Sequence, residues 1–428
     1  MAHILTDLTA FLDSSPTSWH AAKEIGDRLA LREFQPLDEE EKWDLELGKK
    51  YFVARGGAVC AFCLPKNAPQ RAILLASHTD SPALKLKPLP VYQKENMIQL
   101  GVEVYGGPLL YSWLNRDLVL AGRVVVTNHS GEPEEKLVHL DDALLFIPGL
   151  AIHLDREVNE KGLQLNKQEH LSPILGLTKE KTLIPLEALE KLLHRHLSFH
   201  SLLSFELFLV PRESARFVGL ENEMLASYRI DNLASVHATL AALGGIEKPS
   251  AHLLQMGLFW DNEEIGSNSK EGAASPFFID TLQRIGYSLK LSPEEVLLLK
   301  NKSLCVSIDM AHALNPNYPK KHEPQHTPLL GHGIVLKYNA DQKYATNALS
   351  SAVINYACQS LNLSLQSYVC RSDLPCGSTV GPVLAKTTGI NTVDIGLPQL
   401  SMHSIREVMA TQDYLDLIRL LTHLMQEG

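Results

Sequence analysis

The chain has 428 residues, more than one ordinary domain, so one large domain with an insertion, or two domains, is expected. Apolar residues make up 45% of it, enough for a well-buried core. A net charge of −10 with both signs interspersed argues against nucleic acid or an anionic membrane as the main partner, and it means that an acidic substrate would need a local positive site.

The opening stretch, "MAHILTDLTAFLDSS", carries acids and alternates like an amphipathic helix, with neither the basic nor the apolar region of a secretory signal. No uninterrupted apolar run approaches the ~20 residues of a membrane span. A cytoplasmic protein is expected. Residues 4 to 30 read as helical, with Ser15-Pro16 and Ser18 as start signals. Short strands follow to about residue 88 and end in "RAILLASHTDSPALKLKP". A continuous apolar run that stops at a turn is how a strand buried on both faces reads, which implies a sheet flanked by helices. Cys60 and Cys63 in "CAFC" are the only close pair among six cysteines. They have no second pair to complete a zinc knuckle and read as core residues.

From 89 to 230 the runs "MIQLGVEVYGG", "LVLAGRVVVTN" and "FELFLVPRE" alternate and are punctuated by Gly and Asn, as antiparallel strands are; one weakly helical piece, "PLEALEKLLHRHL", sits among them. After Asp231, helices and apolar strands alternate again to a final helix over 413 to 427. The expected architecture is therefore α/β: a discontinuous domain over 1–88 and 231–428 with a helix-flanked mixed sheet, interrupted by a β-rich domain over 89–230.

Five places share one feature: a buried-looking strand ends, and within a residue or two a metal-capable side chain appears. They are His78 and Asp80 in "ASHTDSP", Asp231 in "YRIDNLAS", Asp261, Glu263 and Glu264 in "WDNEEIGS", Asp309 and His312 in "SIDMAHALNP", and His403 in "LSMHSIRE". In open α/β sheets the carboxyl ends of the strands converge on one crevice, so these groups can meet. Singly, each has a plainer role: Asp231-Asn232 as a helix cap, His78 as a core or capping histidine, Asp309 capping a turn, His403 beside a helix start. Together, two imidazoles and three carboxylates suit zinc, and five such ligands fit two metals sharing a bridging carboxylate better than one. In an extended segment or a turn, adjacent Glu263 and Glu264 diverge, so one can bind metal while the other acts as general base on a metal-activated water. Asp80, two residues after His78, is placed to accept the histidine's other ring N–H and fix its tautomer. Asp261 reads as a turn stabiliser.

The motifs "SHTDSP", "IDNL", "DNEEIGS", "DMAHALNPNY…KHE", "DLPCGSTVGP" and "PQLSMHSIRE" closely resemble the M18 metalloaminopeptidases, the aspartyl aminopeptidases, over nearly the whole chain. The resemblance implies two Zn2+ per subunit, with Co2+ or Mn2+ as substitutes. Asp231 would bridge them, His78 and Asp309 would complete one site, and Glu264 and His403 the other. Glu263 would be the general base. It further implies that His312, Lys337 in "IVLKYN" and Tyr344 in "QKYATN" contact substrate. His153 in "LAIHLDR" matches a histidine that reaches the substrate of a neighbouring subunit, although it is also counted as a metal ligand; the substrate role is favoured, since the other five groups suffice. The expected activity is removal of N-terminal Asp or Glu from peptides by a homo-oligomer, a tetrahedral dodecamer, with Lys337, aided by His153, as the local positive charge. Without the resemblance, Lys337 reads as a strand-end lysine reaching solvent and Tyr344 as a packed aromatic. Cys376 in "LPCGSTVGP" has no His and Asn pairing to make it a nucleophile and reads as part of a tight turn. The competing readings are a two-zinc hydrolase of other specificity (a broad aminopeptidase, carboxypeptidase or deacylase) and a non-catalytic assembly subunit, against which the intact ligand set argues.

Overall fold

The computed structural model describes residues 2–179 and 185–427. They form two compact units: Met1–Asp80 with Ala215–Met402 and Glu407–Gly428, and Ser81–Ser214 with His403–Arg406. Among the described residues no helix is long and apolar enough to cross a membrane.

The first unit is built on a nine-stranded sheet. Its four central neighbours, Leu253–Trp260, Arg71–His78, Leu304–Ile308 and Asn391–Gly396, run parallel to one another. Ala58–Cys63 joins antiparallel on one side, and Ile334–Tyr338 joins antiparallel on the other, so the sheet is mixed. Along Arg71–His78, Ile73 and Leu75 face a core shared with Leu8, Phe11, Leu233 and Tyr414, while Ala72, Leu74 and Ala76 face one shared with Phe277, Ile285 and Leu384. Side chains alternate along a strand, so a strand with an apolar residue at nearly every position must be covered on both faces. Helices supply both covers, as the uninterrupted "AILLA" run requires. Cys60 and Cys63 follow the same alternation on Ala58–Cys63, one in each core, and burial pushes both thiols up to about 12.

The helical stretch expected over residues 4 to 30 is two helices, Ala2–Ser14 and Ser18–Ala30. The break falls at Ser15-Pro16-Thr17, with Thr17 extended at φ −138° and ψ 169°. Proline lacks the N–H a helix interior needs and disfavours helical geometry in the residue before it, so Pro16 divides the segment.

A smaller five-stranded sheet of the first unit joins Arg216–Val218, Met224–Ser227, Glu407–Ala410, Pro398–Leu400 and Ala311–His312. In the second unit a six-stranded antiparallel sheet runs in the order Pro133–Leu145, Leu118–Thr127, Ser201–Pro211, Ala83–Lys94, Met97–Tyr105, Ile174–Leu177. Long alternating strands with polar outer faces are what the texture of this region dictates. Two of its cations, Lys85 at 2.8 Å and Arg123 at 2.7 Å, share the carboxylate of Glu206 across neighbouring strands.

One glycine of the central sheet is set by close approach. A Cβ on Gly396 would lie 1.8 Å from the carbonyl oxygen of Asp309, the residue that follows Leu304–Ile308. Asp309 is itself held in place by its N–H, which donates to Ile395 O at 3.0 Å. Gly396→Ala is therefore expected to push the Asp309 backbone aside and to lower stability by about 1–3 kcal/mol, the usual cost of overpacking. Denaturant unfolding would show this as a lower midpoint at unchanged slope. An unshifted midpoint would mean that the two segments separate freely.

Candidate metal centre

Three parallel strands deliver the acidic and imidazole groups to one edge of the sheet. His78 ends Arg71–His78 and is the register partner of Trp260, so "HTD" and "DNEE" leave the sheet side by side. Leu304–Ile308, the neighbour on the other side, delivers Asp309. Asp231 comes from the start of the buried helix Ile230–Gly244. Two bonds fix that start: Asn232 Nδ2 donates to Ile308 O at 2.8 Å, and the Asp231 N–H donates to Glu407 Oε2 at 3.0 Å.

His78 Nε2 lies 3.4 Å from Asp231 Oδ1, 3.6 Å from Asp309 Oδ1 and 4.0 Å from Glu263 Oε2. Ligands held tetrahedrally about ~2.1 Å from a zinc ion lie about 3.4 Å from one another. The spacings from His78 to Asp231 and to Asp309 match that figure, and the donor atoms, one imidazole nitrogen and two carboxylates, are of the type zinc takes. His78, Glu263 and Glu264 form a second group whose ligand atoms all lie within 4.8 Å of one another. The residues present thus fit a divalent metal.

The other ring nitrogen, Nδ1, is 3.1 Å from the Asp80 carbonyl oxygen and 3.4 Å from its carboxylate Oδ1. A proton on Nδ1 facing these acceptors leaves the Nε2 lone pair free for a metal, the usual tautomer of a ligating histidine. The Asp80 carboxylate does a second job that sequence reasoning did not anticipate. Its two oxygens accept the N–H groups of Glu263 and Glu264, each at 3.1 Å, and so position the glutamate pair. That pair lies on a short 3-10 turn, Glu263–Ile265, and both side chains reach the His78 group, so adjacency alone does not divide their roles.

The site's electrostatics follow from burial and crowding. Burial opposes a charge on His78, but hydrogen bonds to Asp231, Asp309 and Asp80 outweigh it and hold the ring well above the usual histidine range. Burial, then the negative charges of Asp309, Glu264 and Asp80, push the Glu263 carboxyl well up against the opposing charge of His78. Asp261 is buried behind the turn, where burial and the Asp80 charge raise it to about 7. It accepts from Ser18 Oγ at 2.9 Å and from the Asn262 N–H at 2.8 Å, a turn-holding arrangement.

Lys337 departs from its simplest sequence reading. It is one of the largest fully buried side chains, 2% exposed, rather than a lysine reaching solvent. Its Nζ lies 3.7 Å from Asp309 Oδ2 and 5.3 Å over the ring of Tyr344. Tyr344 is buried and edge-on to Tyr368, which in turn meets the exposed His312 ring at 5.8 Å. The first unit therefore brings together His78, Asp80, Asp231, Glu263, Glu264, Asp309 and Lys337, with Tyr344 and His312 continuing outward. His403 lies on the turn His403–Arg406, which groups with the second unit, and its Nδ1 is 3.1 Å from Gly107 O. His153 is exposed in the second unit. Glu407 and Asn232, which hold Asp231, were quoted in motifs but not marked as supports, because nothing in a side chain's identity reveals a backbone partner far away in sequence.

Comparison with known proteins bears on this arrangement. The model of the family described as aminopeptidase I zinc metalloprotease (M18) matches residues 11–424. A probable aspartyl aminopeptidase of Ricinus communis is 37% identical over 95% of this chain and 92% of its own length. A probable M18 family aminopeptidase 2 of Streptomyces avermitilis is 41% identical over 95% of this chain and 94% of its own. Among solved structures, Ape4 in its complex with Nbr1 superposes with a TM-score of 0.94 at 36% identity, covering 100% of this chain and 86% of that one. An M18 aminopeptidase from Thermotoga maritima superposes at 0.87 with 25% identity, covering 99% and 96%. On the strength of a family match that runs through every strand of the candidate site, the chain belongs to the M18 family of aminopeptidase I zinc metalloproteases.

Proposed function

We propose that the protein removes an N-terminal residue, preferably Asp or Glu, from peptides, using two zinc ions and Glu263 as general base. The observation that carries this reading is the convergence of Asp231, Asp309 and Glu263 on His78 Nε2 within 3.4 to 4.0 Å. His78, Asp231 and Asp309 would hold one ion; Asp231 and Glu264, with His403 following the family pattern, would hold the other. Bound zinc supplies Lewis acidity to the scissile carbonyl and lowers the pKa of the attacking water. Asp80 holds Glu263 in place through its N–H and keeps the His78 ring oriented. Glu263 accepts the proton of the attacking water on its carboxylate and returns it to the leaving amine. His312 and Tyr344 lie on the outward path from Lys337 and would contact the substrate.

Lys337 is the candidate source of acidic selectivity, and its burial shapes how that works. Its ammonium is already beside Asp309, so a substrate carboxylate meets it in competition with a protein carboxylate. In a low-dielectric pocket such a charge acts strongly even without direct contact. His153, exposed on the second unit, would serve a neighbouring subunit's site. Apolar side chains standing in water near it, Phe146, Leu150, Ile152 and Leu154, support self-assembly, for which a tetrahedral dodecamer is the proposed form. Six free thiols accord with a cytoplasmic setting.

The decisive experiment counts metals and measures hydrolysis of Asp-, Glu- and Leu-anilides by the same preparation. Two zinc ions per chain, activity lost to chelator and restored by zinc, and faster release of Asp than of Leu are expected; a carboxypeptidase or deacylase would release none of the three. Glu263→Gln should retain both ions and lose about 10²–10⁴-fold in kcat, the usual weight of a general base. Loss of metal instead would reverse the roles of the two glutamates. For Lys337→Met, which keeps the buried volume, kcat/KM on Asp-anilide should fall by about 10–100-fold while Leu-anilide changes far less, as expected when a charge-assisted contact is removed. Equal losses on both substrates would assign Lys337 to holding Asp309 rather than to selectivity.

A further inference from the structure

Beneath the aromatic group that leads outward from Lys337 lie two thiols that the proposed chemistry does not use. Cys370 follows the strand Leu365–Val369 and Cys376 precedes the helix Val380–Thr388, in the stretch "CRSDLPC". The five residues between them double back. Leu374 N donates to Arg371 O at 3.0 Å, and the Arg371 guanidinium holds both carboxylate oxygens of Asp373 at 2.9 and 2.7 Å. The Cys370 thiol consequently points at the far end of the turn, 3.9 Å from Leu374 O and 3.7 Å from Pro375 O, the carbonyl joined to Cys376 itself. Both thiols pack against the small cluster that Tyr344 and Tyr368 form with Ala311 and Val335. Both are half-buried, and Cys370 lines an open cavity of about 300 Å³ together with His312, Tyr368 and Leu374. The other four cysteines, Cys60, Cys63, Cys305 and Cys358, are buried.

We propose that Cys370 and Cys376 are an oxidation site, a dithiol that hydrogen peroxide converts to an intramolecular disulfide. The Cys370 sulfur, which faces the cavity, attacks one peroxide oxygen as thiolate; the O–O bond breaks, and the departing hydroxide takes up the thiol proton as water. Cys376 Sγ then attacks the sulfenic sulfur, the S–S bond forms, the S–O bond breaks and a second water leaves. Two thiols lose two electrons and two protons, and one peroxide becomes two waters. The turn brings Cys370 Sγ to 3.7 Å from the carbonyl joined to Cys376, on the side from which a disulfide, whose Cα atoms lie within about 7 Å, would close. No metal ligand is consumed, because the ligand set is imidazole and carboxylate.

The link to substrate rests on the reading that Tyr344, Lys337 and His312 contact it. An S–S bond repacks Cys376 against the cluster that holds Tyr344, and the Tyr344 ring is the face over which Lys337 lies. Cys370 packs against the same cluster as Tyr368, whose ring contacts both His312 and Tyr344. Oxidation should therefore raise KM for acidic substrates several-fold with little change in kcat.

The test treats the full-length, zinc-loaded protein with hydrogen peroxide, then maps alkylated, unreduced peptides by mass spectrometry and assays Asp-anilide in parallel. A Cys370–Cys376 crosslink with a mass loss of about 2 Da is expected, together with the rise in KM and its reversal by dithiothreitol. Cys370→Ser, with Cys370→Ala as a second variant, should keep the untreated kinetics and lose both responses. Absence of that crosslink from oxidised wild type overturns the proposal, as does a peroxide response that survives both variants. A crosslink with unchanged KM overturns its link to the pocket. Failure of the aminopeptidase reading is separable, because it shows in the untreated sample and leaves the peptide map unaffected.

Discussion

The carboxylate of Asp309 is the hinge of this molecule. One oxygen lies 3.6 Å from His78 Nε2 and the other 3.7 Å from Lys337 Nζ. Two cationic positions, the candidate metal and a buried ammonium, are thereby joined through a single side chain. A buried charge is costly unless partnered, and the Asp309 carboxylate 3.7 Å away is the partner given to Lys337 inside the fold. The same partnership ties the part of the pocket proposed to recognise a substrate to the part proposed to cleave it. Asp309 in turn depends on the sheet: its N–H is held by Ile395, and its carbonyl occupies space that only a glycine at 396 leaves open.

That dependence explains why the parallel strands matter more than any one motif. Parallel neighbours end at the same edge, so His78, Asp261 to Glu264 and Asp309 are brought together without long loops. The remaining carboxylate beside His78, Asp231, arrives from a helix and so needs its own fixings. Asn232 and Glu407 provide them, one anchored on the strand that ends before Asp309 and the other on a strand of the smaller sheet. Asp80 does the same for the strand-end groups, orienting the glutamate turn and the histidine with one residue. A ring of backbone hydrogen bonds thus holds side chains that would otherwise repel one another.

What the sequence reveals depends on how local the cause is. Doubly covered strands were legible in runs such as "AILLA" and "LLQMGLFW", because burial on both faces leaves no polar position. The alternating texture of "LVLAGRVVVT" likewise marked a strand of the antiparallel sheet. Pro16 divides a helix that periodicity alone would run through, although the signal was present in the residue itself. The acidic and imidazole residues at strand ends were legible as a set through their positions after apolar runs. Lys337 was not, since "IVLKY" gives no hint that the lysine turns inward to a carboxylate supplied from another strand. Nor were the roles of Asp80 and Glu407 toward backbone N–H groups, which depend on chain segments more than 170 residues away. The adjacency of Glu263 and Glu264 was visible, but the tight turn that lets both reach His78 was not.

The crowding of carboxylates also bears on stability. Asp231, Asp309 and Glu263 stand within 4.0 Å of one imidazole nitrogen, largely shielded from water, and the shielding raises the proton affinity of Glu263 and Asp261. Left to themselves, Glu263 and Asp261 oppose folding as the pH rises and they ionise, because the unfolded chain would hold them charged in water at no cost. A divalent cation among them reverses the sign: it favours the ionised carboxylates and the neutral imidazole, and binding to the folded state alone adds to its stability. A scaffold that must hold these charges together therefore has to be rigid on other grounds. The two apolar cores, the close contact at Gly396 and the bonds from Asn232 and to Glu407 meet that requirement, so the site borrows its geometry from the sheet and would return stability only when a metal is bound.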